Sequence, residues 1–406
     1  MLLGPILFLF PYILQSSCAH FPGNFQQAFV ANMTKTKRPQ SSPLDAFQNH
    51  FASASRYGER WHETLYPALM EGTRYTTLYN RYAPQEDFYK AIGSPDTLER
   101  LRFPSAPDDI QADNLLCFIH KQSTDQRDAP FPPPEKSSNG LLTHWNFDAA
   151  SALAVHLLQV LPGDNVLDLC AAPGGKSLSL AQSIWPYLQP DSPTPPMPSA
   201  KKGALHSNEI DPTRNRRLAD NLSQYLPASL AATGQQKVLR LDGTKGAKEF
   251  PLGPAGYDKV LVDAPCSSER HIIHAQEKAG LGRTVEELAR WSPSSSKRMA
   301  ETQVQLLMTA LRAVRLGGRV LYATCSISRE ENEGVVEKAI LQAEKERKKG
   351  AIAWAVEVKG LGEEIERVLE DGWAERTGKG WIALPDHKGN GKWGPLYFCV
   401  LTKTRA

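Results

Sequence analysis

The segment Asn165-Val-Leu-Asp-Leu-Cys-Ala-Ala-Pro-Gly-Gly-Lys-Ser177 decides how the chain folds. Its first residues make a short apolar strand, and Gly174-Gly175 then turns the backbone into a helix. Immediately upstream, Asp148 opens a helical pattern carried by Leu153, Val155, Leu157, Leu158 and Leu161, which stops at Pro162-Gly163. Downstream, apolar runs alternate with helical ones. Strands are expected at Leu205 to Ile210, Val238 to Leu241, Lys259 to Asp263 and Arg319 to Cys325. Helices are expected at Thr213 to Leu226 and at Lys297 to Arg315, the second ended by Gly317-Gly318. Such alternation places parallel strands between two layers of helices, a Rossmann-like, doubly wound α/β sheet. Weaker strand patterns at Ala351 to Val358 and Leu396 to Thr402 complete it.

With 406 residues, 41% hydrophobic and 22% charged, the chain has an ordinary globular composition and enough length for a large core. Six cysteines are too few for a disulfide scaffold, and no Cys-x-x-Cys pair occurs, so no structural metal site is expected. A net charge of +3 permits nucleic-acid binding without arguing for it. Residues 1–43 form a leader, apolar from Leu2 to Leu14 and free of Asp and Glu. It reads as a targeting segment or, given Met33, as a start placed too far upstream. Its apolar run is too short to span a membrane, and no membrane association is expected. Residues 44–147 carry aromatics at helical spacing (Phe47, Phe51, Tyr57, Trp61) and read as a mostly helical region, with a Pro-rich linker around Phe131-Pro-Pro-Pro-Glu135. Residues 148–406 form the α/β domain, with a Pro-rich insertion at 187–203.

Open α/β sheets bind ligands in the crevice beyond the carboxyl ends of their strands. Here successive strands end at the Cys170–Lys176 turn, at Glu209, at Asp242-Gly243 and at Asp263. Glu209 could take both hydroxyls of a ribose, or serve only as an acid near the N-terminus of the helix that Asp211-Pro212 opens. Four such strand ends in register point to a nucleoside cofactor, with S-adenosylmethionine the natural candidate. GxGxxG is absent and the phosphate-loop pattern lacks its first glycine, which weakens the dinucleotide and ATP readings. Two cysteines, Cys266 after Pro265 and Cys325 between Thr324 and Ser326, end neighbouring strands. One cysteine alone is usually a small buried hydrophobe. Two beside a methyl-donor site fit chemistry at carbon 5 of a pyrimidine, which becomes nucleophilic once a thiolate adds to carbon 6. An acid at the ring nitrogen would stabilise the adduct, and a base must then remove the carbon 5 proton so that the thiol leaves. One thiol can attack while the other assists release.

Three motifs, Asp168-Leu-Cys-Ala-Ala-Pro-Gly-Gly-Lys176, Tyr257-Asp-Lys-Val-Leu-Val-Asp-Ala-Pro-Cys-Ser267 and Tyr322-Ala-Thr-Cys-Ser326, closely resemble the NOL1/NOP2/Sun RNA cytosine-5 methyltransferases. The resemblance runs from about Asp148 to Trp393-Gly-Pro-Leu-Tyr-Phe398. It implies an S-adenosylmethionine-dependent fold with Cys325 as the nucleophile and Cys266 assisting release. It further implies that Asp263 contacts the cytosine beside the cofactor, while Lys176 positions it and tunes the site. Cys170, Ala171, Ala172, Pro173, Gly174, Gly175 and Lys176 would hold the methionine part of the cofactor, Glu209 its ribose, and Asp242 with Gly243 its adenine.

Ser268 departs from the family pattern, which usually has Gly or Ala there. With Ser207-Asn-Glu-Ile-Asp-Pro-Thr-Arg214, the continuation Ser268-Glu-Arg-His271 looks most like the mitochondrial ribosomal-RNA branch, in which Arg214 would join the cofactor site. Glu209 stands where that branch has Asp. Arg270, His271 and His274 are candidates for phosphate or base contacts, against the plain reading of solvated charge. Lys201, Lys202, Arg214, Arg216 and Arg217 form a local basic cluster. The expected substrate is a structured RNA with an accessible cytosine, ribosomal RNA favoured and transfer RNA the alternative. A DNA methyltransferase would leave a second crevice cysteine without a role, and a silent RNA-binding assembly factor would not need all of Cys325, Cys266, Asp263 and Lys176. A monomeric catalytic subunit is expected, with a targeting partner protein left open. Two thiols that must stay reduced argue against secretion; mitochondria are favoured over the nucleolus or cytoplasm.

Overall fold

The computed structural model describes residues 42–405 apart from 94, 106–114, 122–128, 191–201, 252–254 and 281–282. The leader up to residue 41, Lys201 and most of the 187–203 insertion lie outside the described residues. Strands β1 (Tyr75–Tyr79), β2 (Leu98–Leu101), β3 (Cys117–His120) and β4 (His144–Asp148) form an antiparallel sheet in the order β2-β3-β1-β4. The second sheet holds β5 (Asn165–Asp168), β6 (Ala204–Asn208), β7 (Gln236–Leu239), β8 (Tyr257–Asp263), β9 (Val314–Thr324), β10 (Trp354–Val358), β11 (Glu375–Arg376), β12 (Trp381–Ala383) and β13 (Leu396–Arg405). Its parallel part runs β9-β8-β5-β6-β7, and β13 pairs antiparallel with β9. The chain moves from β5 outward through β6 and β7, then returns to place β8 on the other side of β5. This reversal opens a crevice at the strand ends.

Side chains alternate along the central strands. Val166, Leu261, Leu321 and Phe398 pack into one apolar cluster with Leu153, Leu178 and Ile184. Their neighbours Leu167, Val260, Val320 and Tyr397 pack into a second cluster with Leu307, Leu311 and Val336. Helices Ala149–Leu158, Gly175–Ile184 and Pro212–Tyr225 thus serve one face, and Pro293–Ala313 and Glu333–Lys348 the other, as a doubly wound sheet requires. Helix Pro293–Ala313 ends before Gly317-Gly318, which falls inside β9 instead. There Tyr257 pairs with Val314 but Lys259 with Arg319, so the strand bulges, and a Cβ on Gly318 would lie 2.8 Å from the Asp258 carbonyl.

The expectation of a mostly helical region before residue 148 is corrected by its four-stranded sheet. The i, i+4 aromatics do form the helix Pro43–Phe51, capped by Ser42 and Asp45. Strands of four or five residues, however, gain stability only from partners far along the chain, as where Tyr75 pairs with Asp148. The helix docks through rings: Phe47 lies 4.8 Å from Trp291, Phe51 lies 5.0 Å from Trp61, and Trp61 Nε1 donates to Gln48 Oε1 at 2.6 Å. Phe51 is fully buried among them. Phe51→Ala is therefore expected to cost about 3–5 kcal/mol of stability, read by urea unfolding of the whole chain.

Candidate active site

At the strand ends lies a cavity of about 540 Å³, within the usual range of about 300–1,000 Å³ for small-molecule sites. Of the residues expected to form it, Cys170, Ala172, Glu209, Arg214, Asp242, Gly243, Asp263, Cys266 and Cys325 line its wall. Ala171, Pro173, Gly174, Gly175 and Lys176 do not. The space beside the two glycines is filled by the protein itself. A Cβ on Gly175 would fall 2.4 Å from the Trp145 indole nitrogen, and one on Gly174, at φ +119°, would meet Leu218 Cδ1 at 3.3 Å. The pair lets helix Gly175–Ile184 close onto its neighbours.

One end of the cavity is acidic. Glu209 is 5% exposed; its Oε1 accepts the Asp211 N–H at 3.0 Å, and Arg214 Nη1 lies 3.3 Å from its Oε2. Arg214 also donates to the Ala172 carbonyl at 3.0 Å, joining the ends of β5 and β6. Asn208, which the sequence reading passed over, donates to the carbonyls of Leu169 (3.0 Å) and Leu241 (3.1 Å) and accepts the Leu241 N–H (2.8 Å). It thereby fixes three strand ends together. Asp242 accepts from the Thr244 hydroxyl and N–H at 2.7 and 3.0 Å, and these bonds hold its carboxyl below the usual range. A buried carboxylate, a second acid beside Gly243 and an apolar wall of Leu169, Leu241 and Leu306 fit a nucleoside with free ribose hydroxyls.

The other end carries the thiols. Cys325 Sγ lies 3.0 Å from Cys266 Sγ and 3.0 Å from Ser268 Oγ. The hydrogen bond from Cys266 draws the Cys325 thiol below its ordinary value against the opposing effect of burial, while the same contact and burial push Cys266 well above. Lys176 Nζ donates to Asp263 Oδ2 at 2.7 Å and to Ser151 Oγ at 3.0 Å. Burial works against its charge, but the Asp263 carboxylate outweighs burial and keeps the ammonium above its usual range. Asp168, fully buried and accepting from Ser177 at 2.7 Å, is pushed by burial up to about 7.

Beneath the thiols lies a buried acid pair that no motif announced. Glu269 and Glu331 are both fully buried. The Ser267 hydroxyl contacts an oxygen of each, and its N–H donates to Glu331 at 3.0 Å. Glu269 also accepts the Ser326 hydroxyl and the Ile327 N–H, both at 3.0 Å. The pair therefore ties the loop after Cys266 to the loop after Cys325. Ser267 has one proton to give and two carboxyl groups to meet, so one acid must carry a proton of its own. Burial first, then the Glu331 charge, pushes Glu269 up to about 7.

Two basic candidates are engaged elsewhere. Arg270 is buried and donates to the carbonyls of Gly394 and, at 2.9 Å, Glu71. His274 Nε2 lies 2.8 Å from the Leu69 carbonyl. Both seat the end of helix Tyr66–Met70 against the α/β unit instead of facing a phosphate. His271 is exposed.

The profile of the family described as 16S rRNA methyltransferase RsmB/F matches residues 155–370. The chain is 30% identical to the mitochondrial tRNA (cytosine(34)-C(5))-methyltransferase of Danio rerio, over 96% of each chain. It is 31% identical to the 5-cytosine rRNA methyltransferase NSUN4 of Mus musculus, over 88% of each. In fold it resembles the crystal structure of NSun6 from Pyrococcus horikoshii with SFG, at a TM-score of 0.55 and 17% identity over 89% of this chain and 98% of that one. The chain belongs to the RsmB/F family, the NOL1/NOP2/Sun group of S-adenosylmethionine-dependent RNA cytosine-5 methyltransferases.

A carboxyl held above its unfolded value binds its proton more tightly when folded. Its stabilising effect is complete at low pH and is lost as pH rises towards the folded value. Glu269 should thus lower stability between the ordinary carboxyl range and about 7, with Asp168 adding a slope of the same sign. Glu269→Gln keeps an acceptor for Ile327 and is expected to flatten much of that slope. Urea unfolding should show a gain of roughly 1–3 kcal/mol at about pH 8 and little change at about pH 4.

Proposed function

We propose that the chain methylates carbon 5 of a cytosine in ribosomal RNA, with Cys325 as nucleophile and Cys266 as the thiol that assists release. The observation that carries this reading is the pair of thiols 3.0 Å apart beside an aspartate held by a lysine. The Cys325 sulfur forms a bond to carbon 6, and the carbon 5–carbon 6 π pair moves onto carbon 5. S-adenosylmethionine, when bound, supplies an electrophilic methyl group. Asp263 holds the base through its polar edge, and Lys176 fixes the direction of that carboxylate. Once carbon 5 has bonded to that methyl group, a base takes the carbon 5 proton, the freed pair re-forms the carbon 5–carbon 6 double bond, and the sulfur–carbon 6 bond breaks to release the Cys325 thiolate, with Cys266 assisting. Glu209 and Arg214 would hold the ribose end of the cofactor, Asp242 and Gly243 its adenine, and Cys170 and Ala172, the turn residues that reach the cavity, its methionine part.

In this reading residues 148–406 are the catalytic domain, residues 44–147 help hold the RNA, and the enzyme acts in mitochondria as a monomeric catalytic subunit. A transfer-RNA target is the second reading, favoured by the end-to-end match to an enzyme named for cytosine 34 of tRNA. Either target must present an unstacked cytosine. Bisulfite sequencing of mitochondrial and whole-cell ribosomal and transfer RNA, with and without the protein, separates them. A lost site in neither class would remove both.

Cys325→Ala should abolish methyl transfer and leave S-adenosylhomocysteine binding unchanged by calorimetry; undiminished turnover would overturn the assignment. Cys266→Ala should accumulate a covalent protein–RNA species on denaturing gels. Glu209→Ala should weaken S-adenosylhomocysteine binding by about tenfold or more, the scale of losing hydrogen bonds to a charged group.

A further inference from the structure

Ser268 occupies an expensive conformation without making its usual bond. It stands at the N-cap of helix Glu269–Ala279, where a serine hydroxyl ordinarily turns back onto the helix N–H groups. No such side-chain bond is made here. Its backbone lies in the left-handed region, φ 50° and ψ 58°, which a residue with a Cβ rarely adopts. A glycine would fit this backbone with less strain. The conformation instead brings Ser268 Oγ to 3.0 Å from Cys325 Sγ and 3.4 Å from Cys266 Sγ. Toward a thiolate a hydroxyl can only donate.

We propose that Ser268 is a catalytic residue whose hydroxyl donates a hydrogen bond to the Cys325 thiolate, holding that sulfur ionised before attack and receiving it again when it leaves the base. The proposal rests on Cys325 being the nucleophile. The sulfur then has two donors, the Ser268 hydroxyl and the Cys266 thiol, at equal distance. Around it the Lys176 ammonium favours the thiolate, while the Asp263 and Glu269 carboxyls and burial oppose it. No proton crosses from Ser268. Its bond weakens as sulfur charge passes into the base on forming the sulfur–carbon 6 bond, and strengthens again on elimination. A Gly or Ala here would leave Cys266 as the only thiol or hydroxyl donor to that sulfur among the described contacts.

Strain and chemistry can be separated because they have opposite signs at this position. Ser268→Gly, in the full chain, should melt at a higher temperature, since the left-handed backbone suits glycine. It should nonetheless lose methyl-transfer kcat by about tenfold, with KM for RNA little changed, the scale of losing a donor to a charged group. The pH midpoint for alkylation of Cys325 by iodoacetamide, followed by mass spectrometry of its peptide, should move up by about one pH unit. Ser268→Ala should show the same loss of rate and the same upward move. Unshifted alkylation profiles in both variants, with Cys325→Ala inactive, would overturn the proposal and leave the nucleophile assignment standing. Full activity of Cys325→Ala would instead remove the assignment itself.

Discussion

Parallel pairing of β8 with β9, in the register that sets Asp263 opposite Ala323, is the constraint on which the site depends. Both strands end at or just after that point, and the loops that follow deliver Cys266 and Cys325 side by side. A slip of one residue would turn every side chain of a strand to the other face. The register is secured by burial on both faces, where Val260, Leu261, Val262, Val320, Leu321 and Tyr322 are all fully enclosed. The apolar packing of the sheet thus sets the distance between two sulfur atoms.

Charge inside this frame is arranged by compensation. Asp168, Asp263, Glu269 and Glu331 crowd the strand ends, and Lys176 answers one of them directly. The remaining acids are met by hydroxyl and N–H donors from Ser177, Ser267, Ser326 and Ile327, and burial raises Asp168 and Glu269. An uncompensated carboxylate at this depth would disfavour any anion beside it; a protonated one does not. The acid pair Glu269–Glu331 joins the loop after Cys266 to the loop after Cys325 through Ser267, Ser326 and Ile327.

Local pattern carried far in the α/β domain. The strands expected around Leu205, Val238, Lys259, Arg319 and Leu396 and the helices around Thr213 and Lys297 all form, because each has its own apolar period and its own stop signal. The four-stranded antiparallel sheet was not legible, since Leu98–Leu101 and Cys117–His120 are short runs stabilised by each other. In the site, residues at strand ends were legible because position on a strand already fixes where they point. Arg270 and His274 were misjudged because a charge near a catalytic motif looks the same in sequence whether it meets solvent or caps a neighbouring carbonyl.

The sequence by itself determined the order of the main strands and helices of the α/β domain, the acids and glycines at strand ends, and the two cysteines proposed to act at carbon 5. These are properties of residues close together in the chain. Only the tertiary structure decided that Gly175 makes room for Trp145, that Asn208 clamps three strand ends, that Glu269 and Glu331 share a buried site, and that Ser268 turns its hydroxyl to the thiols. Each of these joins residues far apart in sequence, and hydrogen bonding and burial depend on what folding brings within about 3 Å, which no local pattern encodes.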